Sequence, residues 1–494
     1  MTPALEAGDA AGAAAALTAA LAGRPLVSAQ RFTSAYRTCY TGPYPVDVIR
    51  PALAIGCYQS WPPASPHQVI AAEQTTATRS ARHRHHWLDE IFPAARSRVE
   101  AMAVPPVVTG WFVTSQLREL AGPGGAVAAV DGALRARLEN KADFGQFMQQ
   151  ACVPQEAQIS AVRIGGPLPA LAELRRLTGT GRVVVQSGVS SGGRGTVIVS
   201  GERDMAAAAA MPAPYRVAAF VDGWSSNITV LSVPRPGGGV DVYADRPSHK
   251  AVAVGELGIG PAKSAGNDWS RPWPAAAATI LTEAAVRIGE WAWEEHRMAG
   301  LFGLDAILTA DGQVKINELN CRNQGTTEVS AVNQQLRSVP PFVVAHLVTT
   351  LGGHADWLGD PGEFNHTTIG SAASSGPGPF YAKVRLTSPV PGRVPAGFPG
   401  PGIYRLDGRQ LRWVRPGAHP ALADADAGEI LIASAPGPGI LCHPGTEIAT
   451  LEGITRGPGR PFTGPETASA QVLAFADALA DLLTPAPDMK EDSA

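Results

Sequence analysis

Two periods organise the hydrophobic positions of this chain. Short apolar runs predict strands within 104–114 (VPPVVTGWFVT, a buried strand), 126–134 (AVAAVDGAL), the β-branched VVVQ and TVIV pieces of 182–200, and 215–234 (YRVAAFVDGWSSNITVLSVP). The clearest case lies in 303–326, GLDAILTADGQVKINELNCRNQGT. There AILTADGQVKIN alternates on both sides of Asp311-Gly312, the strongest short hairpin-turn signal, and predicts a β-hairpin. Helical spacing marks an Ala-rich start at 1–23, and HHWLDEIFPAARSRVEAM at 85–102, where Pro93 predicts a break. It also marks NKADFGQFMQQACVP at 140–154, with Asn140 as N-cap, Asp143 at the capping-box position and Phe144, Phe147, Met148 and Cys152 on the buried face. A long helix follows at 275–298, then TTEVSAVNQQ and PPFVVAHLVTTLGG. Residues 235–275 show neither period and read as loops, with Arg246, His249 and Lys250 clustered.

The pattern changes near residue 366. After Gly376-Pro377-Gly378-Pro379 come short strand-like pieces, FYAKVRLTSP, GIYRL, LRWV, GEILIAS, GILCHPG and IATLEGI, then a closing Ala/Leu helix at 464–484. The chain therefore divides into an N-terminal α/β domain at 1–135, a middle α+β domain at 136–355, a β-rich C-terminal domain at 356–484 and a tail at 485–494.

Composition narrows the class. Hydrophobic residues make up 45%, as in globular chains, and the net charge of −3 points to no nucleic acid or anionic membrane as partner. The five cysteines (Cys39, Cys57, Cys152, Cys321, Cys442) form no CxxC pair and read as free thiols in a reducing compartment. The N-terminus lacks a basic region and carries Glu6 and Asp9, so it reads as a surface helix instead of a signal peptide. No apolar run reaches the ~18 residues of a membrane span. A cytoplasmic protein is expected.

Candidate chemistry centres on the hairpin. Asp305 lies early in its first strand, and Glu318 and Asn320 stand two apart in the second, on one face. Asp305 and Glu318 can meet across the hairpin, and two carboxylates with an amide oxygen suit a hard cation such as Mg²⁺. Upstream, Lys141 sits in a helix's first turn, where an anion is favoured. Ser187, Gly188, Ser190, Ser191, Gly192, Gly193 and Gly195 form a loop between strands that can offer backbone N–H groups to phosphates. It is not a P-loop, since GK[ST] is missing and the chain returns into a strand. His83, His85 and His86, with Arg82 and Arg84, read as a basic surface, because adjacent histidines do not face together. Cys321 alternates away from the carboxylate face and reads as packing.

The order of these features resembles the ATP-grasp superfamily over about residues 105–350: a lysine at a helix start, a Gly/Ser flap between strands, a hinge strand, then Asp…Glu-x-Asn-x-Arg on a hairpin. The Ala-rich start, the PPVVTG strand and the β-rich tail further resemble the amino-acid and peptide ligase branch that includes the pheganomycin-type peptide ligases. The resemblance implies an ATP-grasp fold, α/β and α+β, with a pre-ATP-grasp domain at 1–135, a lid at about 140–232 and a small β-rich C-terminal domain. It makes Lys141 the first phosphate-binding lysine, and Ser190, Ser191, Gly192 and Gly193 the flap over the phosphates. Phe220 and Val221 become the adenine hinge, Asp305, Glu318 and Asn320 the Mg²⁺ ligands, and Arg322 the arginine facing the transferred phosphoryl group. Two positions depart from the family. Gln186 stands where many members carry a second lysine, so Arg194 or Lys250 would supply the charge. Asn227 stands where relatives carry a ribose-binding glutamate, with Asp222 the substitute. The implied activity is ATP-dependent carboxylate–amine ligation through an acyl phosphate, on an amino acid or small peptide in biosynthesis, and a homodimer is common in the family. The alternatives are carboxylate–thiol ligation that loads a carrier protein, and a nucleotide-binding module without catalysis.

Overall fold

A computed structural model describes residues 7–31, 36–58, 68–75, 80–81, 87–190, 193, 195–456 and 459–485. The chain opens with a parallel sheet of β1 (Leu26–Ala29), β2 (Leu53–Gly56), β3 (Val69–Ala71), β4 (Val107–Thr109) and β5 (Ala126–Ala128), in the order β3-β2-β1-β4-β5. Both faces carry apolar residues into separate cores, as a doubly covered parallel sheet requires. The Trp87–Glu100 helix runs through Pro93 without the predicted break. Leu88, Ile91, Ala95 and Val99 bury one side and Pro93 is exposed, so the forfeited hydrogen bond falls on the side that water reaches. The 126–134 run is strand only to Ala128. Asp131 then caps a helix, Gly132–Leu138, accepting from the N–H of Ala133 at 2.9 Å and of Leu134 at 3.0 Å.

The 140–154 helix is shorter than its spacing predicts. A 3₁₀ turn at Lys141–Asp143 leads into Phe144–Gln150, and Cys152 is exposed with φ +51 instead of joining the buried face. Asn140 does cap it, its Oδ1 accepting from Ala142 N–H at 3.1 Å. A small antiparallel sheet follows: β6 (Ala161–Ile164), β7 (Val183–Ser187), β8 (Thr196–Val199) and β9 (Tyr215–Ala219), ordered β6-β9-β7-β8. Helices Leu171–Thr178 and Glu202–Ala209 cover one face. The other face looks into a cleft.

The rest builds one large sheet from β10 (Trp224–Pro234), β11 (Val240–Ala244), β12 (Ser248–Val252), β13 (Ser264–Asp268), β14 (Gly300–Leu308), β15 (Val314–Asn320), β16 (Gly378–Arg385), β17 (Gly402–Asp407), β18 (Gln410–Arg415), β19 (Glu429–Ala433) and β20 (Glu447–Thr455). Its order is β15-β14-β10-β12-β13-β16-β20-β19-β17-β18, with β11 on β10. The C-terminal strands thus extend the central sheet through the β13–β16 pairing. Residues 235–275, expected as loops, supply β11, β12 and β13. Their inward positions include buried Ser248, His249, Asn267 and Asp268, which erase the apolar alternation. The Ala275–His296 helix packs on the sheet through Ala277, Ala278, Leu281, Ala284, Ala285 and Ile288. No helix among the described residues is long and apolar enough to cross a membrane.

Arg37 ties the N-terminal part to the rest. It is fully buried, with Nε 2.6 Å from Glu328, Nη2 2.5 Å from Glu452 and Nη1 donating to the Ala418 carbonyl at 2.5 Å. Two carboxyls share one guanidinium, and burial raises the pKa of both against the pull of Arg37. A raised folded pKa stabilises the fold fully below the ordinary value of 4.5, and that stabilisation is lost as pH climbs through the raised value. The melting temperature is therefore expected to fall as pH rises above the ordinary carboxylate range. Glu452→Gln, which leaves Arg37 one ionisable partner, should flatten that slope in pH-resolved thermal melts. An unaltered slope in the variant would count against proton sharing at Arg37.

Candidate active site

A cleft of about 1670 Å³ lies between the small antiparallel sheet, the central sheet and the loop after β15. Its chemistry begins in the β14–β15 hairpin. Near the turn the register is regular, with Leu308 opposite Val314 and Ala306 opposite Ile316. It then slips by one residue, so that Asp305 faces Glu318 and Asn317 has no cross-strand partner. Without this bulge Asp305 would face Asn317, and Glu318 would point to the opposite side of the sheet. The two carboxylates meet because of the bulge.

Each carboxylate takes a lysine from a different wall. Lys141 Nζ donates to Glu318 Oε1 at 2.7 Å, and also to the Ser190 carbonyl at 3.1 Å. Lys250 Nζ lies 2.6 Å from Asp305 Oδ2, and Asn227 Nδ2 donates to Asp305 Oδ1 at 2.7 Å. Like charges directly opposed on a strand pair repel, and these cations offset that repulsion. Lys141 does not leave a free helix N-terminus beside it, because its own N–H donates to the Gly188 carbonyl.

Asn227 is used up here. Its amide N–H also reaches Gln324 Oε1 at 2.9 Å, and its Oδ1 accepts from Thr326 at 3.1 Å, so both amide hydrogens are engaged within the cleft wall. The expected substitute, Asp222, is exposed and 4.0 Å from Arg182. Phe220 and Val221 line the cleft beside Val184 and Ile198 and make its apolar end. The Phe220 N–H is taken by the Arg182 carbonyl at 3.1 Å, and the Arg182 guanidinium sits 3.7 Å from the Phe220 ring centre.

Gln186 is not compensated by Lys250, which is engaged at Asp305. The charge comes from Arg216, directly across the strand pair. Arg216 is buried behind the cleft wall; its Nη1 donates to Gln186 Oε1 at 2.9 Å and to the carbonyl and side-chain oxygens of bulged Asn317 at 3.0 and 3.1 Å. Burial pushes its pKa down to about 10, with Glu318 pulling the other way, so it stays charged at neutral pH. The sequence did carry a signal for it, a lone arginine in the apolar strand YRVAAF.

Arg322 lines the cleft and is held rigidly. Its Nη2 donates to Asn320 Oδ1 at 2.7 Å and its Nε meets Glu139 Oε1 at 3.0 Å. The other oxygen of Glu139 accepts from Arg135 at 2.8 Å, and Trp111 lies 5.6 Å below the Arg322 guanidinium. Sequence reading singled out none of Glu139, Arg135 and Trp111. Cys321 is buried in the core beneath the hairpin, and burial raises its thiol pKa well above the usual range, which suits packing. His249 also lines the cleft; burial, with Arg271, Arg460 and Arg246 nearby, pushes its pKa down to about 3, so it is neutral. Arg246 points elsewhere, to the Ser374 carbonyl.

In the flap, Gly193 has φ +75, and a Cβ there would run into the Ala262 carbonyl. The loop tip thus rests on the backbone after β12, where only glycine fits. Ser191, Gly192 and Arg194 lie outside the described residues, as do His83, His85 and His86 with Arg82 and Arg84. Among the described residues no three His, Cys, Asp or Glu side chains could hold a metal. Asp305, Glu318 and the Asn320 amide oxygen make a hard but incomplete oxygen set. That fits Mg²⁺, which keeps waters and takes phosphate oxygens to complete its shell.

No family model matches the chain, and no curated protein sequence matches it. Solved structures do. Biotin carboxylase from Campylobacter jejuni superimposes with a TM-score of 0.55 at 13% identity, over 87% of each chain. Pyruvate carboxylase from Rhizobium etli gives 0.54 at 13% identity, over 88% of this chain and 38% of that one. The biotin carboxylase domain of 2-oxoglutarate carboxylase from Hydrogenobacter thermophilus gives 0.51 at 13% identity, over 87% and 86%. What is shared at such identities is the fold, and the fold is ATP-grasp.

Arg216 can be tested as the replacement for a lysine at 186. Gln186→Lys alone sets a second cation against a buried guanidinium and should lower the melting temperature. Gln186→Lys combined with Arg216→Met keeps one cation there, and should be more stable than the summed single effects by about 1 kcal/mol or more. Strict additivity in chemical or thermal unfolding would remove the coupling.

Proposed function

We propose that this chain is an ATP-dependent ligase that joins a carboxylate to an amine through an acyl phosphate. The supporting observation is the opposed pair Asp305 and Glu318, each held by a lysine from a different wall. Lysine is a point charge on a flexible stem, so Lys141 and Lys250 can leave the carboxylates for phosphate oxygens. Asp305, Glu318 and Asn320 would then hold Mg²⁺. When bound, the metal supplies charge neutralisation on the phosphates. The domain crystallised with MgADP and bicarbonate in 2-oxoglutarate carboxylase shares this fold, in support of ATP and Mg²⁺ here.

The other residues have roles that follow from position. The apolar end at Val184, Ile198, Phe220 and Val221 takes the nucleobase. Arg322, fixed by Glu139 and Asn320, is the catalytic residue that stabilises charge on the transferred phosphoryl group. Arg216 is a positioning residue. It holds the Asn317 bulge and so keeps Glu318 opposite Asp305. Ser190 and Gly193 belong to the flap that excludes water from the acyl phosphate. The amine acceptor is an amino acid or small peptide, as in the peptide-ligase branch that the sequence resembles. The basic 82–86 patch that would favour a carrier-protein thiol lies outside the described residues, so no structural observation favours that acceptor.

The protein incubated with ATP, Mg²⁺ and pairs of amino acids should release ADP and phosphate in an amino-acid-dependent manner. Glu318→Ala should reduce that release by ~100-fold or more, the scale of losing a preorganised electrostatic group. Absence of both nucleotide binding and amino-acid-dependent ADP would reject the proposal, and full turnover in Glu318→Ala would reject the metal assignment.

A further inference from the structure

Two groups among the cations of the cleft differ in their partners. Lys141, Lys250 and Arg322 each already have a carboxylate. The second set lies on β16, where Tyr381, Lys383 and Arg385 all line the cleft. Lys383 makes no hydrogen bond or ion pair among the described residues; its Nζ lies 5.9 Å from the Tyr381 ring centre. A Cβ on Gly325 would be 3.9 Å from that Nζ, so the ammonium sits against the loop that carries Arg322. Arg385 has a buried Nε with no hydrogen-bond partner among the described residues. The Tyr381 hydroxyl donates to Asn267 Oδ1 at 2.8 Å and makes no hydrogen bond to either cation among the described residues. Arg31 and Lys263 line the same cleft. Burial lowers the Lys383 pKa; Glu447 opposes this, and Arg31, Arg385 and Lys250 add to it. Keeping buried cations without full compensation is costly, and a ligand anion would remove that cost.

We propose that the carboxylate substrate carries a second anionic group, a carboxylate or a phosphate ester, received by Lys383 and Arg385. This rests on the ligase reading and adds the substrate's class. The carboxylate to be activated lies toward Arg322, and the second anion lies toward β16. Lys383 next to Gly325 sets the two anion sites side by side, so one small molecule can span them. The nucleotide does not need this second set, because its phosphates would meet Lys141 and Lys250, which sit on the hairpin carboxylates.

Two measurements on the full-length protein test this separately from the ligase reading. In the first, ADP release is followed with L-aspartate, L-glutamate and O-phosphoserine against their uncharged counterparts L-asparagine, L-glutamine and L-serine. One of the acids should exceed its neutral counterpart in kcat/KM by about 10-fold or more, the scale of one charge-assisted hydrogen bond. Phosphoserine against the dicarboxylates then tells phosphate from carboxylate. In the second, succinate and butyrate binding is measured by calorimetry on wild type, Lys383→Met and Arg385→Leu, with nucleotide binding as the check that each variant folds. Succinate should bind more tightly than butyrate, and each variant should lose that preference while it keeps nucleotide affinity. Neutral counterparts turned over as well as the acids would overturn the proposal and leave the ligase standing. Equal binding of succinate and butyrate to wild type would overturn it too. Succinate preference lost in both variants, with no ADP release from any substrate, would keep the cradle and reject the ligase.

Discussion

One extra residue in a strand sets the chemistry of this cleft. Asn317 is bulged out of the β14–β15 register, and the slip turns Glu318 onto the face that Asp305 occupies. A bulge leaves its residue without ladder hydrogen bonds, and it persists only where something else satisfies them. Here Arg216 does so, by donating to both oxygens of Asn317. The opposed carboxylates in turn need cations, and those come from Lys141 beside the small sheet and Lys250 on the central one. The bulge, the guanidinium and the two lysines form one dependent chain, and it draws the two walls of the cleft together.

Arginine and lysine divide the work in that chain by their chemistry. The arginines are fixed: Arg216 by three oxygens, Arg322 by Glu139 and Asn320, Arg37 by two carboxyls and a carbonyl. A planar fork suits positions where geometry must not change. The lysines sit on the carboxylates, each a point charge on a flexible stem that can change partner. Gln186 fits the same division. With Arg216 directly behind it, a second lysine would face a like charge, and the neutral amide instead relays a hydrogen bond.

The hairpin, the flap strands and the long 275–296 helix were legible in the sequence because their periodicity follows burial on one side only. Asp-Gly marked the turn, and the 2-residue period placed Glu318 and Asn320 together. The bulge left a trace that was not used: the apolar positions Val314 and Ile316 shift phase to Leu319, with Asn317 and Glu318 two polar residues in succession. Strands β12 and β13 were missed for a different reason. Some of their buried residues, His249 and Asn267 among them, line a polar cleft, so the rule that buried positions are apolar fails at the site itself. Pairings such as Arg322 with Glu139 and Asn227 with Asp305 join distant segments, and no local pattern encodes them. Part of the ATP-binding expectation also changed meaning. Asn227, expected near a ribose, organises Asp305, because the register of β10 on β14 sets the two side by side.

The C-terminal strands read from sequence as an appended β unit, and their connection argues for more. β16 pairs with β13, which pairs with β12, so Tyr381, Asn267 and Lys250 stand in register across three neighbouring strands. Lys250 holds a hairpin carboxylate, while Lys383, two residues beyond Tyr381 and therefore on the same face, holds none among the described residues. Among the described residues, a continuous sheet thus carries a paired cation, Lys250, at the hairpin side and the unpaired Lys383 two strands further on. A unit that served stability alone would gain by burying apolar residues at Lys383 and Arg385, as its other face does through Ala382 and Val384. That it carries charge on the cleft face instead makes the C-terminal part a wall of the cleft, built by the same sheet that carries Asp305, Glu318 and Asn320.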